Sequence, residues 1–156
     1  MIRTPRRFAL TAALLFLAAC SPKPASPPGV TVDGAWIRAT QPGAKTAAGY
    51  VTLTNTGSQL DKLVSAASPA AAMVSVHESK TMEGMAKMAA VPALELPPGK
   101  TVALAPGGHH IMFMDLAGPL AAGDRALVSL TFERAGTVTV PFAVGNAPPE
   151  TGEHHH

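Results

Sequence analysis

Short stretches in which hydrophobic and polar residues alternate run through most of the chain, separated by clusters of turn-forming residues. Ala35-Trp36-Ile37-Arg38 and Gly49-Tyr50-Val51-Thr52-Leu53-Thr54-Asn55 are rich in β-branched and aromatic residues, and the second ends in the turn cluster Asn55-Thr56-Gly57-Ser58. Leu60 to Ser65 and Met73 to Ser79 continue the pattern. Thr101 to Ala105 lies between Pro97-Pro98-Gly99 and Pro106-Gly107-Gly108, His110 to Leu116 and Ala126 to Phe132 alternate, and Thr137 to Ala143 is placed to close a sheet. Outside the N-terminal leader no window of a dozen residues carries a helical stripe. Many short strands with regular turns predict an all-β domain, an antiparallel sandwich or barrel.

The ends of the chain follow different rules. Arg3, Arg6 and Arg7 precede an apolar run from Phe8 to Ala19, so residues 1–19 read as a secretory signal, too short for a comfortable membrane span. The run closes on Leu17-Ala18-Ala19-Cys20, which resembles a bacterial lipobox and makes Cys20 the expected lipidated N-terminus of the mature protein. A plain signal peptide and a retained anchor helix are the competing readings. Residues 20–29 form a Pro/Ser-rich tether, 30–145 the folded domain, and 146–156 a polar, Pro-containing tail expected to be flexible. The expected location is the periplasm, with the membrane reached through the lipid anchor only and a monomeric domain beyond it.

Removing the signal changes the charge picture. Three arginines leave with it, so nine Lys and Arg face ten Asp and Glu, and the mature net charge is −1 with neutral histidines. The basic pI belongs to the leader, and nothing supports nucleic-acid binding, which needs a basic face. Cys20 is the chain's single cysteine. Once it is lipidated, the domain has no thiol for disulfides, thiol catalysis or thiolate ligation, and a blue-copper site is excluded.

The candidate chemistry lies in two imidazoles and two thioethers: His77, Met88, His110 and Met112. Thioether sulfur is soft and uncharged; it suits Cu(I) and offers little to Zn(II), Mg(II) or Ca(II). If Val74 and Val76 face the core, His77 falls on the opposite face with Ser75 and Met73. If Ile111 and Phe113 face inward, His110, Met112 and Met114 share the outer face, about 6.5–7 Å apart along the backbone. Met88 follows Thr81-Met82-Glu83-Gly84-Met85-Ala86-Lys87, which reads as an exposed hairpin tip with Gly84 in the turn. Methionine in a β-protein is most often core filler, and that reading, or a surface role, is preferred for Met73. Met82, Met85 and Met114 are possible accessory sulfurs. His109 reads as a loop neighbour of the site, and Glu78 should point away from it. No Ser/His/Asp nucleophilic set is readable.

Taken together, His77, ten residues, Met88, twenty-one residues and His110-x-Met112 resemble the H-x10-M-x21-H-x-M signature of the periplasmic copper chaperone family PCuAC. His77-Glu78-Ser79 through Lys87-Met88 and Pro106-Gly107-Gly108 through Met114 are similar to its two metal segments, and the resemblance spans Val30 to Val144. It implies a cupredoxin-like Greek-key β-barrel or sandwich without the cupredoxin cysteine. It also implies Cu(I) held by His77, Met88, His110 and Met112, and delivery toward the CuA centre of cytochrome c oxidase, directly or through a Sco-type thioredoxin-like partner. The terminal His154-His155-His156 falls outside this pattern. It is either a native Cu(II)-binding end or the remnant of a purification tag. The competing functions are a copper-dependent redox enzyme, which needs an open coordination position and a substrate pocket, and a lipid-anchored β-sandwich for adhesion or envelope assembly in which the methionines are incidental.

Overall fold

The computed structural model describes residues 29–149. The leader, Cys20, the tether up to residue 28 and His154–His156 lie outside the described residues. Ten strands and no helix make up the rest: β1 Val30–Arg38, β2 Thr46–Asn55, β3 Asp61–Ala67, β4 Ala71–Met82, β5 Met85–Ala90, β6 Leu94–Leu96, β7 Thr101–Leu104, β8 His109–Leu116, β9 Arg125–Phe132 and β10 Gly136–Gly145.

All ten belong to one sheet in the order β5-β4-β8-β2-β1-β10-β9-β3-β6, with β7 on β2. The sheet is mixed, which corrects the antiparallel expectation at one join. β1 and β10, the first and last strands, lie parallel, with Trp36 opposite Ala143. Two strands so far apart in sequence meet without a hairpin between them, so local turn signals could not reveal their direction. The sheet curls around one core in which Phe113, Phe142, Ile37, Leu53 and Leu130 are fully buried. Each such side chain contributes roughly 1.5–3 kcal/mol relative to exposure.

Two local features set which side chains face that core. In β1 the register shifts between Asp33 and Trp36, with Gly34 at φ 59°. This bulge turns an inward Val30 and Val32 into an inward Ile37, a change of parity that one extra residue produces. In β2, Gly49 lies under the Phe113 ring, where a Cβ would sit 2.7 Å from its Cε2. Only glycine lets β2 and the β8 side chain approach so closely.

The end of the sheet near β3 is tied by polar side chains. Asp61 is buried, and its carboxylate accepts backbone N–H bonds from Lys62 (2.8 Å), Arg134 (2.9 Å) and Ala135 (2.9 Å). Burial pushes the carboxyl pKa up, but those three N–H donors and the Arg134 charge outweigh it and hold the group below its usual range. Asn55, also buried, donates from Nδ2 to the carbonyls of Gln59 and Leu96, both at 2.7 Å, and accepts from Gly57 N–H at 2.9 Å.

Candidate metal centre

The site begins with the alternation of β8. Ile111 and Phe113 are fully buried, so His110, Met112 and Met114 take the other face. In β4, Val76 is buried and Val74 packs on the core, which leaves Met73, Ser75, His77 and Ser79 outward. β4 and β8 pair antiparallel and bring these outward sets into register: Met73 opposite Met114, Ser75 opposite Met112, His77 opposite His110.

β5 adds the fourth candidate donor. The segment read as an exposed hairpin tip is mostly strand: β4 runs to Met82, β5 starts at Met85, and only Glu83 and Gly84 turn. Both have positive φ, 52° and 76°, the geometry of a type I′ hairpin. The strand was not readable because all six residues of β5 are exposed, so burial on one face imposes no alternation. The pairing sets Met88 opposite Ser79 and Ala90 opposite His77. Met88 therefore shares the face of His77, one step along the strand.

His77, Met88, His110 and Met112 are thus brought to one face of three adjacent strands. The imidazole centroids of His77 and His110 are 6.1 Å apart, with the rings tilted by 35°. Small residues surround them. Met112 lies opposite Ser75 on one side and Ala48 on the other, and Met88 lies opposite Ser79. The low serine and alanine floor leaves room for long thioether side chains to lean toward the imidazoles.

Hydrogen bonds orient the rings. Ala105-Pro106-Gly107-Gly108 closes with Gly108 N–H donating to the Ala105 carbonyl at 3.1 Å, and Gly107 has φ 85°, a type II turn with proline and glycine at the positions that favour it. The Gly108 carbonyl accepts from His110 Nδ1 at 3.1 Å and from Ser79 N–H at 3.1 Å. A carbonyl only accepts, so Nδ1 carries a proton, and in the neutral ring this leaves the Nε2 lone pair free. This backbone-anchored imidazole is the arrangement that metal-ligating histidines favour. Ser75 Oγ lies 2.9 Å from His77 Nε2 and steadies the second ring. Neither Ser75 nor Gly108 was singled out from the sequence, although the Pro-Gly pair before the histidines marked the turn.

The face is poor in hard donors. Among the described residues no three His, Cys, Asp or Glu side chains gather in a way that could hold a metal. Glu78 alternates to the other face, where it pairs with Lys80 at 2.9 Å and approaches His109 Nε2 at 3.8 Å. His109 is therefore a β8 residue facing Glu78 rather than a loop neighbour. Any ion held at the site must rely on sulfur. Exposure is graded, from His110 at 5% to Met88 at 55%.

The remaining methionines divide by face. Met82 and Met85 pair with each other across the turn, on the side away from Met88. Met114 lies with Met112 on the donor face, opposite Met73, which is 58% exposed and so is not core filler. Cys20 and His154–His156 lie outside the described residues.

The family model "Putative lipoprotein LpqE-like", which is the PCuAC family, matches residues 30–144. The chain belongs to the PCuAC family. Its relatives include "Putative lipoprotein Lxx21020" of Leifsonia xyli subsp. xyli, 39% identical over 151 residues, covering 91% of this chain and 90% of the relative. Among solved structures, the copper-bound PCuAC domain from PmoF2 is 27% identical and superposes with a TM-score of 0.68, covering 80% of this chain and 99% of that one. The solution structure of CuI-DR1885 from Deinococcus radiodurans is 35% identical, with a TM-score of 0.62 and coverage of 76% and 79%. The all-β, cupredoxin-like class expected from the sequence holds for this PCuAC domain.

Proposed function

We propose that this protein is an extracytoplasmic Cu(I) carrier that binds copper with His77, Met88, His110 and Met112 and passes it to another protein. One observation carries the reading: the four soft, uncharged donors share one face of β5-β4-β8, and the Gly108 carbonyl holds His110 with Nε2 free. Two imidazoles and two thioethers bind a monovalent soft ion without building up negative charge. No thiolate holds the ion too tightly to give up. The outermost donor, Met88, sits on the edge strand, where an acceptor's own ligand can displace it first. The copper-bound and CuI-loaded states of the PmoF2 and DR1885 relatives favour copper as the cargo.

The acceptor is the CuA domain of cytochrome c oxidase, or a Sco-type thioredoxin-like protein upstream of it. The lipoprotein names of the family and of the Leifsonia relative support export and anchoring through Cys20. The His154–His156 end would add a separate Cu(II)-binding station. X-ray absorption of the Cu(I)-loaded protein tests the core site, with two sulfur and two nitrogen donors expected. A shell of oxygens, or of nitrogens alone, would overturn it. Transfer is tested by mixing the loaded protein with each acceptor domain, and copper that stays behind in both mixtures would remove the delivery role.

A further inference from the structure

Six of the chain's seven methionines lie in the domain, and all six fall on β4, β5 and β8. The four-donor site accounts for Met88 and Met112. Met73 and Met114 form another cross-strand pair on the same face, two residues along from the pair Ser75–Met112. Directly opposed residues in an antiparallel pair have Cβ atoms about 4.5–5.5 Å apart, well within the span of two thioether side chains meeting one ion. Met112 follows on the same face at roughly 7 Å of backbone. Packing does not explain the pair, because Met73 is 58% exposed and Met114 half-buried. Glu78 alternates to the other face, and among the described residues no three His, Cys, Asp or Glu side chains gather in a way that would hold a hard cation here.

We propose that Met73 and Met114, with Met112 between them and the histidines, form a second, weaker Cu(I) site. The inference rests on the copper-carrier reading and names how cargo reaches the four-donor site. An ion held by Met73 and Met114 exchanges one sulfur at a time for Met112 and then for His110. The oxidation state stays +1. Thioethers carry no proton, so exchange among the three sulfurs needs no acid, base or redox partner. Three thioethers lack the basicity of imidazole, so the equilibrium runs toward the histidines.

The test is a titration of the full chain, labelled at methionine methyl groups, with Ag(I), a redox-inert soft ion, and then with Cu(I) under anaerobic conditions. The first equivalent should move the His77 and His110 ring signals with the Met88 and Met112 methyls. A second phase should move the Met73 and Met114 methyls. Because each numbered methionine reports for itself, metal held elsewhere on the chain does not register. The variant Met73→Leu/Met114→Leu keeps apolar bulk and removes both sulfurs; it should lose the second phase and change first-phase affinity less than about twofold. Methyls of Met73 and Met114 that stay unmoved in excess metal, or a second phase at Met112 that survives in the variant, would overturn the site. A first phase that leaves both imidazoles unmoved would sink the carrier reading instead, so the two failures are distinct. The wild-type readout stands even if the variant does not fold.

Discussion

Around the start of β3, every side-chain polar atom of Asp61, and of Asn55, which reaches from the end of β2 to β6, bonds to the protein's own backbone. At the β5–β4–β8 end, His110 has one ring nitrogen engaged and one free, and the thioethers of Met73 and Met88 lie more than half exposed. Both ends contain a buried polar residue, and what differs is whether its bonding capacity is used up. A carboxylate tied by three backbone N–H bonds is held in place with most of its accepting capacity used, so its worth is to stability. An imidazole half-satisfied by a rigid carbonyl is oriented and still reactive, so its worth is to binding. Burial of a polar group is thus a poor guide to function, and unspent bonding capacity a better one.

Substitutions should separate the two ends. The largest effect falls on binding: His110→Ala/Met112→Ala should weaken Cu(I) by more than about 100-fold, since removing even an outer-shell partner costs 10–100-fold, while far-UV circular dichroism shows the protein still folded. Competition with a Cu(I) chelator measures this, and unchanged affinity would refute the site. Asp61→Ala should do the reverse and cost about 3 kcal/mol in urea unfolding, because buried N–H donors lose a charged acceptor, with copper affinity intact.

The same carboxylate makes an acid prediction. Its pKa is lowered on folding, so its stabilisation is complete above the unfolded value of about 3.9 and is lost as pH falls through the lower folded value. Urea midpoints should therefore drop below about pH 4 in the wild type and less steeply in Asp61→Asn. A smaller effect crosses the divide. Gly49→Ala would press a methyl group onto the Phe113 ring and should cost about 1–3 kcal/mol by overpacking. Because Phe113 lies between Met112 and Met114 in β8, a few-fold loss of copper affinity should accompany it. The smallest change is Ser75→Ala, which removes the hydroxyl beside His77 and should lower stability by under about 1 kcal/mol. Its effect on copper affinity should stay within a few-fold, and calorimetry resolves both.

Much of the donor face was legible before any coordinates. A period of two with Val74, Val76, Ile111 and Phe113 as the apolar set leaves only one face for His77, His110 and Met112, because one side of each strand must be buried. The same reasoning failed where burial gives no signal. β5 is exposed on both sides, so the sequence marks the hairpin turn at Gly84 but not the strand that follows it. Nothing in the sequence links Met73 to Met114, because a lone methionine cannot announce which residue lies opposite it. Asp61 carries no local signal, because its partners Arg134 and Ala135 are some seventy positions away. The bulge at Gly34, which reverses the parity of β1, does carry a mark, a glycine inside an alternating run, but that mark alone does not say how the parity changes.

Residue chemistry and local period determined that the described domain is all-β, that soft, uncharged candidate donors stand at family-specific spacings, and which side of β4 and β8 they occupy. Those properties depend on neighbours one or two positions away. Tertiary structure alone decided that β4 lies between β5 and β8, that the register sets His77 beside His110 and Met73 beside Met114, and that β1 runs parallel to β10. Strand order and register arise from how the whole sheet curls to bury its core, and no local stretch of sequence contains that sum.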